Sequence, residues 1–549
     1  MIRSIMGIPS FTAAQAVVAS LEANGITELF CLPGIQNDPF FDALFDSRVI
    51  RPIQTRHEQG AGYMALGAAL ATGRPSAFCV VPGPGWLNTT AAMATAYAVN
   101  APVLAIVGQI PQRLIGRGLG MLHELPDQLG TLRLLTKWAA RIESAAAAPE
   151  VMAQAFAQLT GGRRRPVAIE CPLDVWGASA DGPLVRPAAT VRSGPPLDDD
   201  AIEKAARVVG RATRPLVVVG GGAQHASAQV RAIAELLQAP VTAYRAGKGV
   251  LDARHPLWAP FPAGHALWAD ADVVLAVGTR LQIQQMEFGV DQNLAIVRID
   301  IDEAELARIH APAVGIVGDA AEALARLADG LPAHMTRRTD RVPEIRGVVE
   351  RTHAELARQF APQMAYLNAI RAALPEDGIF VDDLTQVGYV GRSLYPAYGP
   401  HTYLSAGYQG TLGWGYAAAL GAKAARPDAP VVSIGGDGGF MFNVQELATA
   451  VHHRLGVVAI VFNDNAYGNV RRIQQQRYRG RVIASDLTNP DFVAMADSFG
   501  VAGERVASAG GLREVLAQAI ARDRPALIEV PIGEMPDPWP LIHPPRNRG

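Results

Sequence analysis

Two short polar segments, each directly after an apolar run, have the composition of a metal and phosphate site. Gly436-Asp437-Gly438 follows the apolar residues 431–434, and Asn463-Asp464-Asn465 follows the apolar residues 457–462. Runs of this kind are typical of buried parallel strands. Glycines let the backbone approach phosphate oxygens, and aspartate supplies the oxygen ligand that Mg²⁺ prefers. A helix is expected over 443–453, and its start would offer free N–H groups. Either segment alone is more typical of an ordinary turn. Together, after successive strands, they predict a site for a divalent cation that carries a diphosphate.

The order and context of these segments resemble the thiamine diphosphate motif shared by acetolactate synthase, pyruvate decarboxylase, benzaldehyde lyase and their relatives. Members of that family usually carry two asparagines where this chain has Asn463-Asp464. Alignment on the following Tyr-Gly pair implies that Asp437 and Asp464 bind Mg²⁺ and that the carbonyl of Ala466 is the third ligand. The resemblance implies further cofactor-binding positions around them: Gly436, Gly438, Tyr467 and Gly468.

A glutamate far upstream matches a second motif of this family. Residues 56–65 form a polar turn that opens into a helix of small residues running to Ala71. Alone, a glutamate at a helix start is more typical of a partner for the helix dipole. The resemblance implies that Glu58 hydrogen-bonds the aminopyrimidine ring and promotes deprotonation of the thiazolium C2 carbon to an ylid.

Other segments resemble the remainder of the cofactor site, in the family's order, from about residue 10 to about residue 535. The resemblance implies that Leu412 is the apolar wedge between the two cofactor rings and that the Gly410 carbonyl accepts a hydrogen bond from the amino group. Cofactor contacts are also implied for three residues in separate loops: Pro33, Asn88 and Gln386.

Two side chains are predicted to face the substrate. Gln36 follows Ile35 in a loop where relatives carry small residues, serine or histidine, so a narrower pocket with an orienting amide is expected. His123 lies in a segment that carries glutamine or histidine in relatives, and an imidazole there would donate or accept protons. The alternative for His123 is an ordinary surface histidine.

The family's chemistry implies a decarboxylase or carboligase that acts on a small 2-oxo acid through a C2 ylid and an enamine. One alternative is a lyase or hydrolase that cleaves 2-hydroxyketones or diketones. An alternative of another class is a non-catalytic regulatory paralogue. The presence of Glu58, Asp437 and Leu412 argues against that last reading, because these residues serve chemistry rather than packing.

The 549 residues, 49% of them hydrophobic and 18% charged, predict about three domains with large cores. Alternating strand and helix patterns predict an α/β fold with three doubly wound parallel-sheet domains. Expected boundaries are 8–178 for a pyrimidine-binding domain, 197–335 for a central domain and 360–535 for a diphosphate-binding domain. A proline-rich linker is expected over 182–196 and a surface course for the proline-rich end.

The sequence of the central domain does not decide whether this domain binds a nucleotide or a flavin. Gly220-Gly221-Gly222 after a strand either approaches the phosphate of a flavin or forms a tight turn between strand and helix. Asp300-Ile301-Asp302 has the shape of a contact with a nucleotide ribose. A loop that FAD-carrying relatives have after Gly247-Lys248-Gly249 is missing here, so FAD is possible but doubtful.

Net charge and cysteine content indicate which partners and which compartment to expect. A net charge of −2 gives no reason to expect nucleic acid or an anionic membrane. Cys31, Cys79 and Cys171 lie in apolar runs without metal spacing, which favours a reduced, cytoplasmic protein. No secretory pattern and no run of 18 apolar residues is found.

The resemblance implies a homodimer or homotetramer in which Glu58 of one subunit reaches the cofactor bound by Asp437 of another.

Overall fold

Three six-stranded sheets, in which every strand pairs in parallel with its neighbours, organise the chain. The computed structural model describes residues 10–187, 194–335 and 338–549. The predicted α/β class with three doubly wound sheets is confirmed. Strands at the sheet centres are buried along their whole length, as in Val103–Gln109 and Val273–Val277, because helices cover both faces.

The N-terminal sheet has the spatial strand order Arg51–Gln54, Glu28–Cys31, Ser76–Val80, Val103–Gln109, Val167–Pro172 and Trp138–Arg141. Its helices are Ala13–Ala23, Asp38–Phe45, Glu58–Thr72, Pro84–Asn88, Thr90–Val99, Gln128–Leu135, Ala148–Thr160 and Leu173–Trp176. A two-stranded antiparallel pair, Ser10–Thr12 with Ser179–Asp181, joins the two ends of this region. The chain reverses its direction of winding between Glu28–Cys31 and Ser76–Val80. Ligands of doubly wound sheets bind at the carboxyl ends of strands at such a switch point.

The central sheet has the spatial strand order Trp258–Pro260, Val241–Ala243, Pro215–Val219, Val273–Val277, Ala295–Asp300 and Val314–Val317. Its helices are Asp199–Arg211, Ser227–Leu237, Phe261–Trp268, Glu303–Leu306 and Ala320–Gly330, with one π-helical turn at Gln284–Phe288. Residues of the predicted linker up to 187 and from 194 are described, whereas 188–193 lie outside the described residues. The helix Val342–Gln359 then leads towards the third sheet.

The C-terminal sheet repeats the winding of the N-terminal one. Its spatial strand order is Tyr403–Leu404, Ile379–Val381, Val431–Gly436, Val457–Asn463, Ala526–Pro531 and Ala502–Arg505. Its helices are Ala361–Ala373, Gln386–Leu394, Gly415–Ala425, Asp437–Phe440, Glu446–His453, Gly468–Arg477, Phe492–Ser498, Ala509–Arg522 and Trp539–Ile542. The switch point lies between Ile379–Val381 and Val431–Gly436, so Asp437, the first residue of the helix Asp437–Phe440, lies at the expected ligand position.

The chain divides into two compact units that do not follow the order of the sequence. The first contains the N-terminal sheet together with residues 408–427 and 443–455, and the second contains the central and C-terminal sheets. In the first unit the helix Glu58–Thr72, here called the glutamate helix, packs against Gly415–Ala425, here called the crossing helix. Both helices are almost wholly buried. Small residues on both faces allow this close approach.

One local prediction differs from the structure. The helix expected over 443–453 begins only at Glu446, because the Asn443 side chain donates to the Gly413 carbonyl (2.6 Å) and the chain turns there first. Most of the proline-rich end, residues 531–549, is exposed or half-buried. Asn547 and Arg548 within it donate their backbone N–H groups to the Phe288 carbonyl at 3.1 and 3.0 Å. Among the described residues, no helix combines the length and apolar character needed to cross a membrane.

Candidate functional site

Glu58 begins the glutamate helix at the carboxyl edge of the N-terminal sheet. His57 caps this helix by accepting the Gln59 backbone N–H on its ring nitrogen at 3.1 Å. The Glu58 carboxylate accepts a hydrogen bond from the Asn88 amide at 3.0 Å, and its side chain is 13% exposed. The structure therefore brings together two residues that the sequence predicted at separate motifs. A carboxylate that is oriented yet reachable can exchange a proton with a bound group.

Gln36 and His123 lie on adjoining segments beside the same switch point. Gln36 is buried and donates to the Leu122 carbonyl at 3.2 Å, which places it next to His123. The His123 backbone is left-handed, with φ of 69°, and its Nδ1 is a buried atom without a hydrogen-bond partner. The Gln36 carbonyl oxygen is also buried without a partner. Ile35 is 60% exposed, so its side chain borders the open side of this group.

Gln128 links the loop at Gly83 to the strands that carry Gly108 and Glu170, a role that the sequence did not predict. Its carbonyl accepts the Gly83 backbone N–H at 2.9 Å, while its amide donates to the carboxylate of Glu170 and to the Gly108 carbonyl, both at 2.9 Å. Glu170 is fully buried and is paired with Arg141 at 2.7 Å. A glutamine near a helix start carries no local signal for such a role, because its partners come from three other segments of the chain.

The segment around Leu412 belongs to the same compact unit. Thr411 and Thr95 share a hydrogen bond of 2.7 Å, and Asn443 binds the Gly413 carbonyl. Gly410 has a φ of 58°, a backbone conformation that favours glycine. Leu412 is half-buried. Pro33, by contrast, is exposed in the loop before Gln36.

Asp437 and Asp464 meet at the switch point of the C-terminal sheet, in the second compact unit. Their carboxyl groups lie close enough for the charge of Asp437 to act on Asp464. Burial raises the pKa of both carboxyl groups, and the charge of Asp437 raises that of Asp464 further. Two carboxylates held this close disfavour their joint ionisation, and a bound cation would relieve that repulsion.

Asn489, which the sequence analysis did not single out, marks the centre of an oxygen cluster. Its amide nitrogen donates to Asp437 Oδ2 at 2.6 Å, Asn463 Oδ1 at 3.1 Å and Asn465 Oδ1 at 3.3 Å. Oxygens that converge on one donor also present their lone pairs to a cation, so this donor set fits a hard metal ion. Within residues 10–187, 194–335 and 338–549, no three His, Cys, Asp or Glu side chains gather in this way. A metal here would need amide or carbonyl oxygens beside the two aspartates.

The remaining predicted residues of this segment lie around the aspartate pair. Gly468 starts a helix with no side chain of its own, and a Cβ there would lie 2.2 Å from Asp464 Oδ2 and 3.1 Å from the Gln386 amide. Gln386 is buried and accepts from Arg472 at 2.9 Å. The Tyr467 ring lies directly against Gly438. Ala466 pairs with Asp486 in a short antiparallel bridge, which ties the end of the strand to a later loop.

The glycine triplet of the central domain forms a tight turn. Gly222 donates its N–H to the Gly278 carbonyl at 3.0 Å, and a Cβ on Gly220 would lie 2.3 Å from that same oxygen. The two loops at this switch point therefore pack backbone to backbone, which supports the turn interpretation of the triplet. Asp302 caps a helix by accepting the Ala304 N–H at 3.1 Å, and Asp300 accepts the Asp302 N–H at 3.1 Å.

Family comparisons agree with the division into three sheets. Residues 11–131 match the N-terminal TPP binding domain of thiamine pyrophosphate enzymes, residues 202–327 match their central domain and residues 383–530 match their C-terminal TPP binding domain. These matches together cover more than half of the chain.

Curated relatives resemble the chain over nearly its whole length. A probable acetolactate synthase large subunit of Methanocaldococcus jannaschii is 33% identical over 97% of this chain and 93% of its own. A probable 2-ketoarginine decarboxylase of Pseudomonas aeruginosa is 34% identical over 95% and 94%. The large subunit of acetolactate synthase isozyme 1 of Escherichia coli is 32% identical over 97% and 96%. The chain therefore belongs to the thiamine pyrophosphate enzymes, as an acetolactate synthase-like member of that family.

Proposed function

We propose that this thiamine pyrophosphate-dependent decarboxylase or carboligase acts on a small 2-oxo acid, with Mg²⁺ and the cofactor diphosphate held at Asp437 and Asp464. The observation that carries this proposal is the oxygen cluster at the switch point of the C-terminal sheet, where oxygens of Asp437, Asn463 and Asn465 converge on the Asn489 amide. When bound, thiamine diphosphate supplies a carbon nucleophile and an electron sink for decarboxylation.

Residues at the switch points of the N-terminal and C-terminal sheets have different proposed roles. Asp437 and Asp464 bind the metal, with the Ala466 carbonyl as third ligand, and Gln386 lies beside them to contact the diphosphate. Glu58, oriented by Asn88, exchanges a proton with the aminopyrimidine ring. The buried setting of the glutamate helix excludes water from behind this carboxylate.

Gln36 and His123 are proposed to orient the substrate and move its protons. Both present a buried polar atom without a partner, at Gln36 Oε1 and His123 Nδ1, and unpartnered buried polar atoms cost free energy that a ligand can recover. Leu412 is proposed as the apolar support under the cofactor rings.

The fold does not distinguish between 2-oxo acid substrates, because relatives of nearly equal identity to this chain are named for different reactions. An acetolactate synthase and a 2-ketoarginine decarboxylase match this chain at 33% and 34%. The test is release of carbon dioxide by the purified protein with thiamine diphosphate and Mg²⁺, across 2-oxo acids with small, apolar and guanidinium side chains. Products identified by mass spectrometry separate an aldehyde, from a decarboxylase, and a 2-hydroxyketone, from a carboligase. Cofactor binding without release from any acid would contradict the proposal and favour cleavage of hydroxyketones.

We further propose that the active sites form between subunits of a homodimer or homotetramer. Complementation tests this directly with Glu58→Gln and Asp437→Ala, each inactive by itself. Mixed subunits would rebuild one site from the intact Glu58 of one chain and the intact Asp437 of the other, so activity should return after unfolding and refolding the mixture. Mixtures as inactive as their components would refute a shared site. Two relatives are named as large subunits, so mass photometry of the purified chain alone should accompany the assay.

Two finer points complete the proposal. The packing of Gly220 and Gly222 against Gly278 supports activity without FAD, which is tested by assaying protein whose absorbance spectrum lacks a flavin band. The three free, buried thiols of Cys31, Cys79 and Cys171 support a cytoplasmic location.

A further inference from the structure

A fully buried carboxylate lies behind the turn that precedes Glu58. Glu446 begins the helix Glu446–His453 and has no exposed surface. It lies 390 residues after Arg56, yet both belong to the first compact unit. Sequence patterns did not single it out, since an acidic residue in the first turn of a helix is common.

The Glu446 carboxylate satisfies backbone groups that would otherwise be orphaned. The Arg56 N–H donates to both of its oxygens, at 3.3 and 3.2 Å, and the His57 N–H donates to Oε1 at 3.1 Å. These N–H groups lie between a strand and a helix, where regular backbone partners are missing. Thr449 donates its hydroxyl to the other oxygen at 2.6 Å.

The glutamate helix is shaped to admit this carboxylate. A Cβ on Gly60 would lie 2.4 Å from Glu446 Oε1 and 2.7 Å from its carboxyl carbon, so no side chain larger than hydrogen fits there. Burial raises the pKa of the Glu446 carboxyl, and its hydrogen bonds to Thr449, Arg56 and His57 lower it. The same donors hold the Glu446 carboxyl group in one orientation.

We propose that Glu446 is a positioning residue for the reaction: it fixes the backbone of Arg56 and His57 and so aims Glu58, the next residue, at the cofactor. Asn88 donates to the Glu58 carboxylate itself, while Glu446 accepts from the backbone of the two residues before it. This inference rests on the proposed role of Glu58. A displacement of about 1 Å at a reacting group can cost on the order of 100-fold in rate.

The test is the rate of hydrogen–deuterium exchange at C2 of thiamine diphosphate, bound with Mg²⁺ to the full-length protein and followed by NMR after acid quench. Glu446→Gln keeps the size of the side chain but loses the charge and one acceptor oxygen, and Gly60→Ala displaces an unaltered Glu446. Both should slow exchange at least about tenfold. Cofactor Kd should change less than about threefold if the diphosphate site is untouched. Glu305→Gln, at a carboxylate 3% exposed in the central domain, is the matched control and should exchange at the wild-type rate.

A double variant separates positioning from general damage. If Glu446 acts through Glu58, adding Glu446→Gln to Glu58→Gln should change the residual exchange rate by less than about twofold, because the two effects are not additive. Full additivity, or wild-type exchange in both Glu446→Gln and Gly60→Ala, would overturn the inference while the role of Glu58 stands. If Glu58→Gln itself exchanges at the wild-type rate, the proposed role of Glu58 fails and the inference falls with it.

Discussion

The contact between the glutamate helix and the crossing helix gives the sharpest prediction about stability. A Cβ on Gly67 would lie 1.9 Å from the Ala418 carbonyl oxygen, and a Cβ on Gly421 would lie 1.8 Å from the Met64 carbonyl oxygen. Each glycine thus faces the backbone of the other helix. Contacts below 3.0 Å are essentially never made by real Cβ atoms, so Gly67→Ala requires a separation of at least about 1.1 Å. Rotamer changes cannot relieve it, because backbone lies on both sides.

The magnitude follows from two opposing terms. Overpacking of a buried site costs about 1–3 kcal/mol or more, and alanine regains up to about 1 kcal/mol of helix propensity. A contact with rigid backbone belongs at the upper end, so the net loss is about 2 kcal/mol. For a compact unit of this size that corresponds to a melting temperature lower by about 4–8 °C.

Thermal unfolding of the cofactor-free protein, followed by circular dichroism, measures this effect. Gly510→Ala is the matched control, because Gly510 lies in the helix Ala509–Arg522 and a Cβ there meets nothing within 4 Å. That variant should melt at or slightly above the wild-type temperature. A Gly67→Ala protein that behaves like Gly510→Ala would refute the close helix crossing.

Three further predictions concern the metal site, pH and a buried ion pair. Asp464→Asn should weaken Mg²⁺-dependent cofactor binding at least about tenfold in titration calorimetry, and an unchanged Kd would assign the metal to other oxygens. His453 accepts the Gln54 backbone N–H at 3.0 Å, and burial lowers its pKa from 6.5 to about 4. As the pH drops from about 6.5 towards 4, the unfolded chain therefore binds this proton before the folded chain does, and the free energy of unfolding should fall. His453→Gln should make the dependence of the unfolding free energy on pH weaker over this range. Equal dependence in both proteins would contradict the lowered pKa of His453. Arg392 donates to the fully buried Asp382 at 2.9 Å. Arg392→Met should therefore lower the free energy of unfolding, measured in urea, by about 3–5 kcal/mol, and adding Asp382→Asn to that variant should restore part of the loss. Additive losses would show that the two residues are not coupled.

Local physical chemistry made the secondary-structure elements predictable. Apolar runs such as residues 457–462 form buried strands wherever they lie in a doubly wound sheet, so period and composition were sufficient for the fold class. Asp437 and Glu58 each follow a strand end and open a helix, as their segments predicted, but their proposed roles came from the resemblance to a family. Their roles in catalysis stay predictions until the variants are measured.

Tertiary structure decided which distant residues serve these motifs. Gln128, Asn489 and Glu446 carry no local pattern, because their partners come from strand ends and turns far away along the chain. The glycine triplet could not be interpreted until Gly278 was seen to fill the space beside it. Sequence therefore determined the elements and the residues that begin their loops, through short-range propensity and periodicity. Only packing determined which carboxylate binds the turn before Glu58 and which oxygens converge at Asp437, since these contacts join segments that are far apart along the chain.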